Sequence, residues 1–244
     1  MRGMSIGLGA AALLLAGATP GSSQSPAALA DSLIRRALTT STAGYISFQD
    51  DAQQWDEGRF FNFAKRSTGP DEPGARLLAC LVRVEPRVQA PVCIAVPLLG
   101  LDPQATVDMI DVSDFDIDDL DQDGEPEATM EVRYTGALPR GFSGGETDEH
   151  TRLLVFDATP ALHLALSEPI RLQSYTSRSR NLEAEVEFTD VNGDGHTDIV
   201  LSGRSCAPRT PGEGCQPLRR QLLWTRATDA WRAPRRASRA GSRI

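Results

Sequence analysis

Lysine is all but missing from this chain. Lys65 is the only one in 244 residues, so arginine carries nearly all of the positive charge. Histidine is scarce too, and His150, His163 and His196 are scattered. The chain has no His-Glu-x-x-His, no Cys-x-x-Cys and no phosphate-binding loop. Those absences remove the common zinc-peptidase, zinc-ribbon and nucleotide-binding readings. Gly141-Phe-Ser-Gly-Gly145 has Gly-x-Ser-x-Gly spacing, but it lies between strand-like segments, with no following helix to form a nucleophile elbow or to aim at a phosphate. No cysteine has a histidine near it in sequence, which argues against a catalytic thiol. Aromatic residues make up only 6% of the chain, and no apolar run is long enough to span a bilayer comfortably.

What is present points first to export. Arg2 precedes an apolar run, Ile6 to Leu15, and Ala16-Gly17-Ala18 fits the small-x-small pattern of a cleavage site. No cysteine lies beside it, so a lipid anchor is not indicated. The four cysteines, Cys80, Cys93, Cys206 and Cys215, are an even number, as two disulfides require. Of the three possible pairings, the sequence-local one is expected. Cys80 and Cys93 lie on two apolar runs separated by Glu85-Pro86-Arg87, and Cys206 and Cys215 bracket a loop rich in proline and glycine. Secretion or a periplasmic location is the expectation.

Two acidic turns stand out: Asp119-Leu-Asp121-Gln-Asp123-Gly124-Glu125-Pro-Glu127, and Asp190-Val-Asn192-Gly-Asp194-Gly195-His196-Thr-Asp198. Each places oxygen-bearing side chains at its first, third, fifth and ninth positions, with glycine at the sixth. Calcium takes six to eight oxygens in irregular geometry, and short side chains at alternate positions of a tight loop converge on one point. The seventh residue, Glu125 or His196, would add its backbone carbonyl. Glycine at the sixth position permits the positive φ of so sharp a turn. A helical EF-hand is excluded, because its bidentate glutamate is replaced at the twelfth position by Met130 and Leu201 and the flanks are strand-like. Each loop is therefore expected at the tip of a β-hairpin.

This pattern resembles the calcium loops of FG-GAP-type repeats, as in integrin α-subunit propellers and many secreted bacterial proteins. The resemblance implies calcium ligands at Asp119, Asp121, Asp123 and Glu127, and at Asp190, Asn192, Asp194 and Asp198. Neither copy carries the Phe-Gly…Gly-Ala-Pro signature and there are only two loops, so a full propeller is not implied.

The flanking sequence is read as mainly β, with one short N-terminal helix. Ser25-Pro26 starts a helix to about Thr40, with an apolar stripe of Leu29, Leu33, Ile34 and Leu38. A short strand is expected over Tyr45 to Phe48. Trp55, Phe60, Phe61 and Phe63 are read as core rather than as a ligand platform. Leu77 to Val84 and Val88 to Val96 read as a hairpin. From residue 105 the order strand, acidic loop, strand, long connection, hairpin occurs twice, with an offset of about seventy residues. That predicts two tandem four-stranded antiparallel repeats, packed as a propeller-like fragment, a sandwich or a small barrel. The expected divisions are 1–24 as signal and lead, 25–104 as helix and disulfide hairpin, 105–170 and 171–234 as the repeats, and 235–244 as a basic tail. Asp114, Asp116 and Asp118 alternate with Phe115 and Ile117, which puts three carboxylates on one strand face. They either extend the metal site or form a solvated face.

The net charge is −8 and unevenly spread: Asp102 to Glu149 is acidic and Arg204 to Arg243 basic. The basic end is read as a solvated tail or one paired with the acidic half. Export argues against nucleic acid. The expected function is that of a non-enzymatic, calcium-binding surface module with a protein or glycan partner and no transmembrane segment after signal cleavage. The alternatives are a periplasmic inhibitor of a cell-wall enzyme and a hydrolase using the acidic strand face. His150 and His163 are read as surface or hairpin residues.

Overall fold

The structure is a computed structural model and describes residues 24–41, 45–48, 51–67, 76–97, 106–137, 147–173, 181–207, 214–225 and 230–233. The signal, the Gly-rich and Pro/Gly-rich connections and the basic tail all lie outside the described residues.

The helix α1 runs Pro26–Ser41. Ser25 caps it, its Oγ accepting the Ala28 N–H at 3.2 Å, and Pro26 suits the first turn because that turn leaves N–H groups unpaired. Ala30, Ile34 and Leu38 form its fully buried stripe. Leu29 and Leu33 pack beside them, half-buried.

Five strands follow: β1 Tyr45–Phe48, β2 Gln53–Asp56, β3 Arg59–Ser67, β4 Arg76–Arg83 and β5 Val92–Val96. They make one antiparallel sheet in the order β1-β3-β4-β5, with β2 also on β3. Strand alternation sends successive side chains to opposite faces. Phe60, Ala64, Leu78, Cys80 and Val82 meet the helix. Phe61, Phe63, Leu77 and Ala79 face the other way, into the next layer. The aromatic cluster is core, divided between two faces. Asn62, on the helix side, donates to Asp31 at 2.9 Å and so ties helix to sheet. Cys80 and Cys93 are register partners on β4 and β5 and form a disulfide.

The second sheet is a meander of eight strands: β6 Thr106–Asp118, β7 Glu127–Ala137, β8 Thr147–Asp157, β9 His163–Gln173, β10 Asn181–Thr189, β11 Asp198–Cys206, β12 Gln216–Thr225 and β13 Ala230–Arg232. Ala128, Met130, Val132, Tyr134, Leu154 and Phe156 pack against Phe61 and Trp55 of the first sheet. Leu153 and Val155, of opposite parity on β8, point into a third core with Ile199, Leu201, Leu222, Trp224 and Trp231. Strand β8 is thus covered on both sides, and this explains the unbroken apolar run Leu153-Leu-Val-Phe156. Only two residue pairs join β9 to β10. Beyond that narrow junction the sheet curls, so that β13 touches β9 without pairing to it. No closed barrel forms among the described residues. The division expected between 170 and 171 falls inside β9. Cys206 and Cys215 form the second disulfide, and no cysteine is free. No described helix is long and apolar enough to cross a membrane.

Candidate metal centre

Both acidic turns sit at hairpin tips, the first between β6 and β7 and the second between β10 and β11. Their internal bonding is nearly the same residue for residue. Asp119 accepts the N–H groups of Asp123 and Gly124, both at 3.1 Å. Asp190 accepts those of Gly193, Asp194 and Gly195 at 2.6, 3.2 and 2.9 Å. Asp121 accepts from Asp123 at 3.0 Å, and Asn192 from Asp194 at 2.9 Å. Asp123 accepts from Glu125 at 2.7 Å, and Asp194 from His196 at 3.0 Å. At the ninth position Glu127 takes the Leu120 N–H at 2.8 Å and Asp198 the Val191 N–H at 3.1 Å. Gly124 and Gly195 have φ of 93° and 89°, which a glycine adopts without strain. The fourth position is also left-handed, with φ of 59° at Gln122 and 76° at Gly193. Sequence reasoning missed that at Gln122, because glutamine gives no signal for it.

The loops differ in how their oxygens gather. In the first, Asp119, Asp121 and Glu127 each bring a carboxylate oxygen within 4.8 Å of the other two. Oxygens on opposite sides of a calcium ion are about 5 Å apart, so one ion can touch all three. Asp121 and Glu127 are almost wholly buried, at 3% and 2% exposure. Burial pushes the Glu127 carboxyl up to about 8, with Asp121, Asp157 and Asp123 adding repulsion and the Leu120 N–H opposing. A proton or a cation relieves that cost. Asp123 is exposed and outside the cluster. One Glu125 carboxylate oxygen is held by Arg59, which also bonds Asp56 at 2.7 Å.

The second loop is more exposed. Asp190 is held below the ordinary carboxylate range by backbone N–H groups, that of Gly195 foremost. Both Asp198 oxygens are engaged, one by Val191 and the other by the Trp224 N–H at 2.8 Å. The Asn192 amide donates to Asp194 at 3.0 Å. The His196 ring lies on the Asp121 carbonyl of the first loop.

Asp114, Asp116 and Asp118 all face solvent on β6, while Phe115 and Ile117 pack inward. A bulge between Ser113 and Asp116 sets this alternation, with Asp114 at a φ of 49°. It also explains why Ile110 and Val112 point inward from even positions while Phe115 and Ile117 do so from odd ones. The three carboxylates do not join the cluster of the first loop.

His150 corrects the sequence reading. It is 5% exposed rather than a surface residue, and its ring stacks on Tyr134 at 5.2 Å. His163 does sit in the β8–β9 hairpin, 3.7 Å from Asp157. Compared with models of known protein families, with curated proteins and with solved structures, the chain has no match.

Proposed function

We propose that this is an exported, non-enzymatic β-rich protein that binds calcium at its hairpin tips and uses the ion to hold a surface for a protein or glycan partner. The observation that carries this reading is the convergence of Asp119, Asp121 and Glu127 at one tip, two of them removed from water. Buried like charges repel unless a cation or protons join them. Calcium suits the all-oxygen donor set and the short, irregular loop. Backbone carbonyls at Glu125 and His196 would complete the two shells.

The matching bond networks of the loops support reading β6–β9 and β10–β13 as two copies of one four-stranded unit. Two formed disulfides fit an oxidising compartment. Extracellular sites commonly have dissociation constants of about 10⁻⁴–10⁻³ M. With about 1 mM calcium, mass action then adds only ~0.4–1.4 kcal/mol per site, so the ion orders loops of a fold that forms without it.

Calorimetric titration of the chain with calcium, beside Asp121→Ala and Asp194→Ala, is the test. Saturable heat that is lost or reduced in the variants is expected. A wild-type protein giving no calcium heat would end this reading.

A further inference from the structure

The sheet face that carries Tyr134 also carries two buried polar groups with no part in the metal centre. His150 is the register partner of Tyr134 on β8. Arg152 follows on the same face, roughly 7 Å along the strand. The two are 5% and 8% exposed. Arg152 gives its Nε–H to the Ser167 hydroxyl at 2.8 Å and an Nη2–H to the Ser167 carbonyl at 2.6 Å. The Tyr134 hydroxyl accepts a further bond from it. All of these acceptors are neutral, and a guanidinium has more N–H groups than they occupy.

Arg152 makes no ion pair among the described residues. The register explains why. Glu149 adjoins His150 and Glu168 lies opposite Leu153, so both point to the other face, where they pair with Arg133 and Arg220. Asp148 shares the face of His150 but stands roughly 13 Å along the strand from Arg152. A cation buried among neutral acceptors alone is costly, and buried arginine is ordinarily paired.

His150 is a separate sign of the same lack. Its ring lies parallel to that of Tyr134, 5.2 Å away and 1° from coplanar in tilt. Its Nε2 is buried and has no hydrogen-bond partner. Burial lowers its pKa, with Asp148 opposing and the Arg152 charge reinforcing the effect, so the ring is neutral and has one N–H to offer. Tyr134 touches both groups, stacking on one and accepting from the other, and so fixes their positions.

We infer that Arg152 and His150 bind a small anion, the size of a halide or a single carboxylate, between the guanidinium and the imidazole Nε2–H. Charge-assisted bonds to a buried anion would satisfy both donors at once. The burial of both side chains excludes a large ligand. The site lies roughly 20 Å along β7 from Glu127, and the inference does not depend on the calcium reading.

The test is a titration of the isotope-labelled full chain in chelator. Sodium chloride or sodium formate replaces sodium gluconate at constant ionic strength, which holds screening fixed while the bulky gluconate stays outside the site. Saturable shifts of the His150 ring and of the Arg152 and Ser167 amides are expected. Stronger binding of chloride identifies a halide site, and stronger binding of formate a carboxylate site. Arg152→Met removes the charge, keeps much of the apolar stem and should weaken binding at least about tenfold. His150→Phe keeps the stack on Tyr134, removes the donor and should weaken binding about fivefold. The second variant decides the matter if the first does not fold. Absence of saturable shifts with either small anion, shifts confined to other parts of the chain, or binding unchanged in His150→Phe would each overturn the inference. A bridging water would then be the partner of Nε2.

Discussion

The Thr197 N–H donates to the Leu120 carbonyl across 3.0 Å, joining the two acidic hairpin tips through their backbones. The neighbouring contact, the His196 ring on the Asp121 carbonyl, doubles the link. Trp231 extends it, its indole N–H donating to the Thr197 carbonyl at 2.9 Å. Leu120 and Trp231 share the same buried core.

Two loops joined this way should not bind independently. Asp194→Ala is expected to weaken calcium binding at the first loop as well as at its own, by about fivefold, the lower end of typical couplings between sites. Calorimetry on this variant and on Asp121→Ala measures the coupling in both directions, and linkage requires the two values to agree. Independent loops would instead give additive losses.

Glu127 separates the ion from the fold. Glu127→Gln keeps an acceptor for the Leu120 N–H but removes a charge that burial penalises. In chelator its melting temperature should equal or exceed that of the wild type, by up to a few degrees for about 1 kcal/mol. Calcium should then raise the wild type alone. A variant that melts lower in chelator would mean that the carboxylate stabilises the ion-free state.

The disulfides should open in order. Cys80 is fully buried beneath the helix and Cys206 is 9% exposed, while their partners Cys93 and Cys215 are both half-buried. Mild reductant followed by alkylation and mass spectrometry should label Cys206 and Cys215 first. Replacing Cys80 and Cys93 together by serine should cost about 2–3 kcal/mol, or ~5–10 °C in melting temperature.

His150 should make the fold acid-sensitive. Burial lowers its pKa below the ordinary 6.5, outweighing the opposite pull of Asp148. The unfolded chain therefore takes up a proton that the folded chain resists. This contribution is complete above pH 6.5 and is lost as pH falls from there toward the lowered folded value. His150→Phe retains an aromatic face for Tyr134 and should flatten the fall in melting temperature between about pH 6.5 and 5. An unchanged slope would assign the acid sensitivity to other groups.

Much of this molecule is legible from local sequence. Ser25-Pro26, the aliphatic spacing of the helix and the alternation along the strands reflect backbone geometry acting over a few residues. Glycine at the sixth loop position and the sequence-local cysteine pairs are of the same kind, because a turn or a hairpin closes within a short stretch of chain. The acidic spacing likewise anticipated where Asp119, Asp121 and Glu127 converge. His150 was misread because burial depends on what packs over a strand, and a single polar residue carries no sign of its cover.

By itself the sequence determined the helix, the strands, the hairpin tips and the donors that each tip offers. Only the tertiary structure decided that the tips meet, that β8 is covered on both faces, and that Glu127 is buried while Asp123 is not. Those outcomes arise from contacts between segments about seventy residues apart, where burial and the curl of the sheet act, and neither is encoded in any short run of residues.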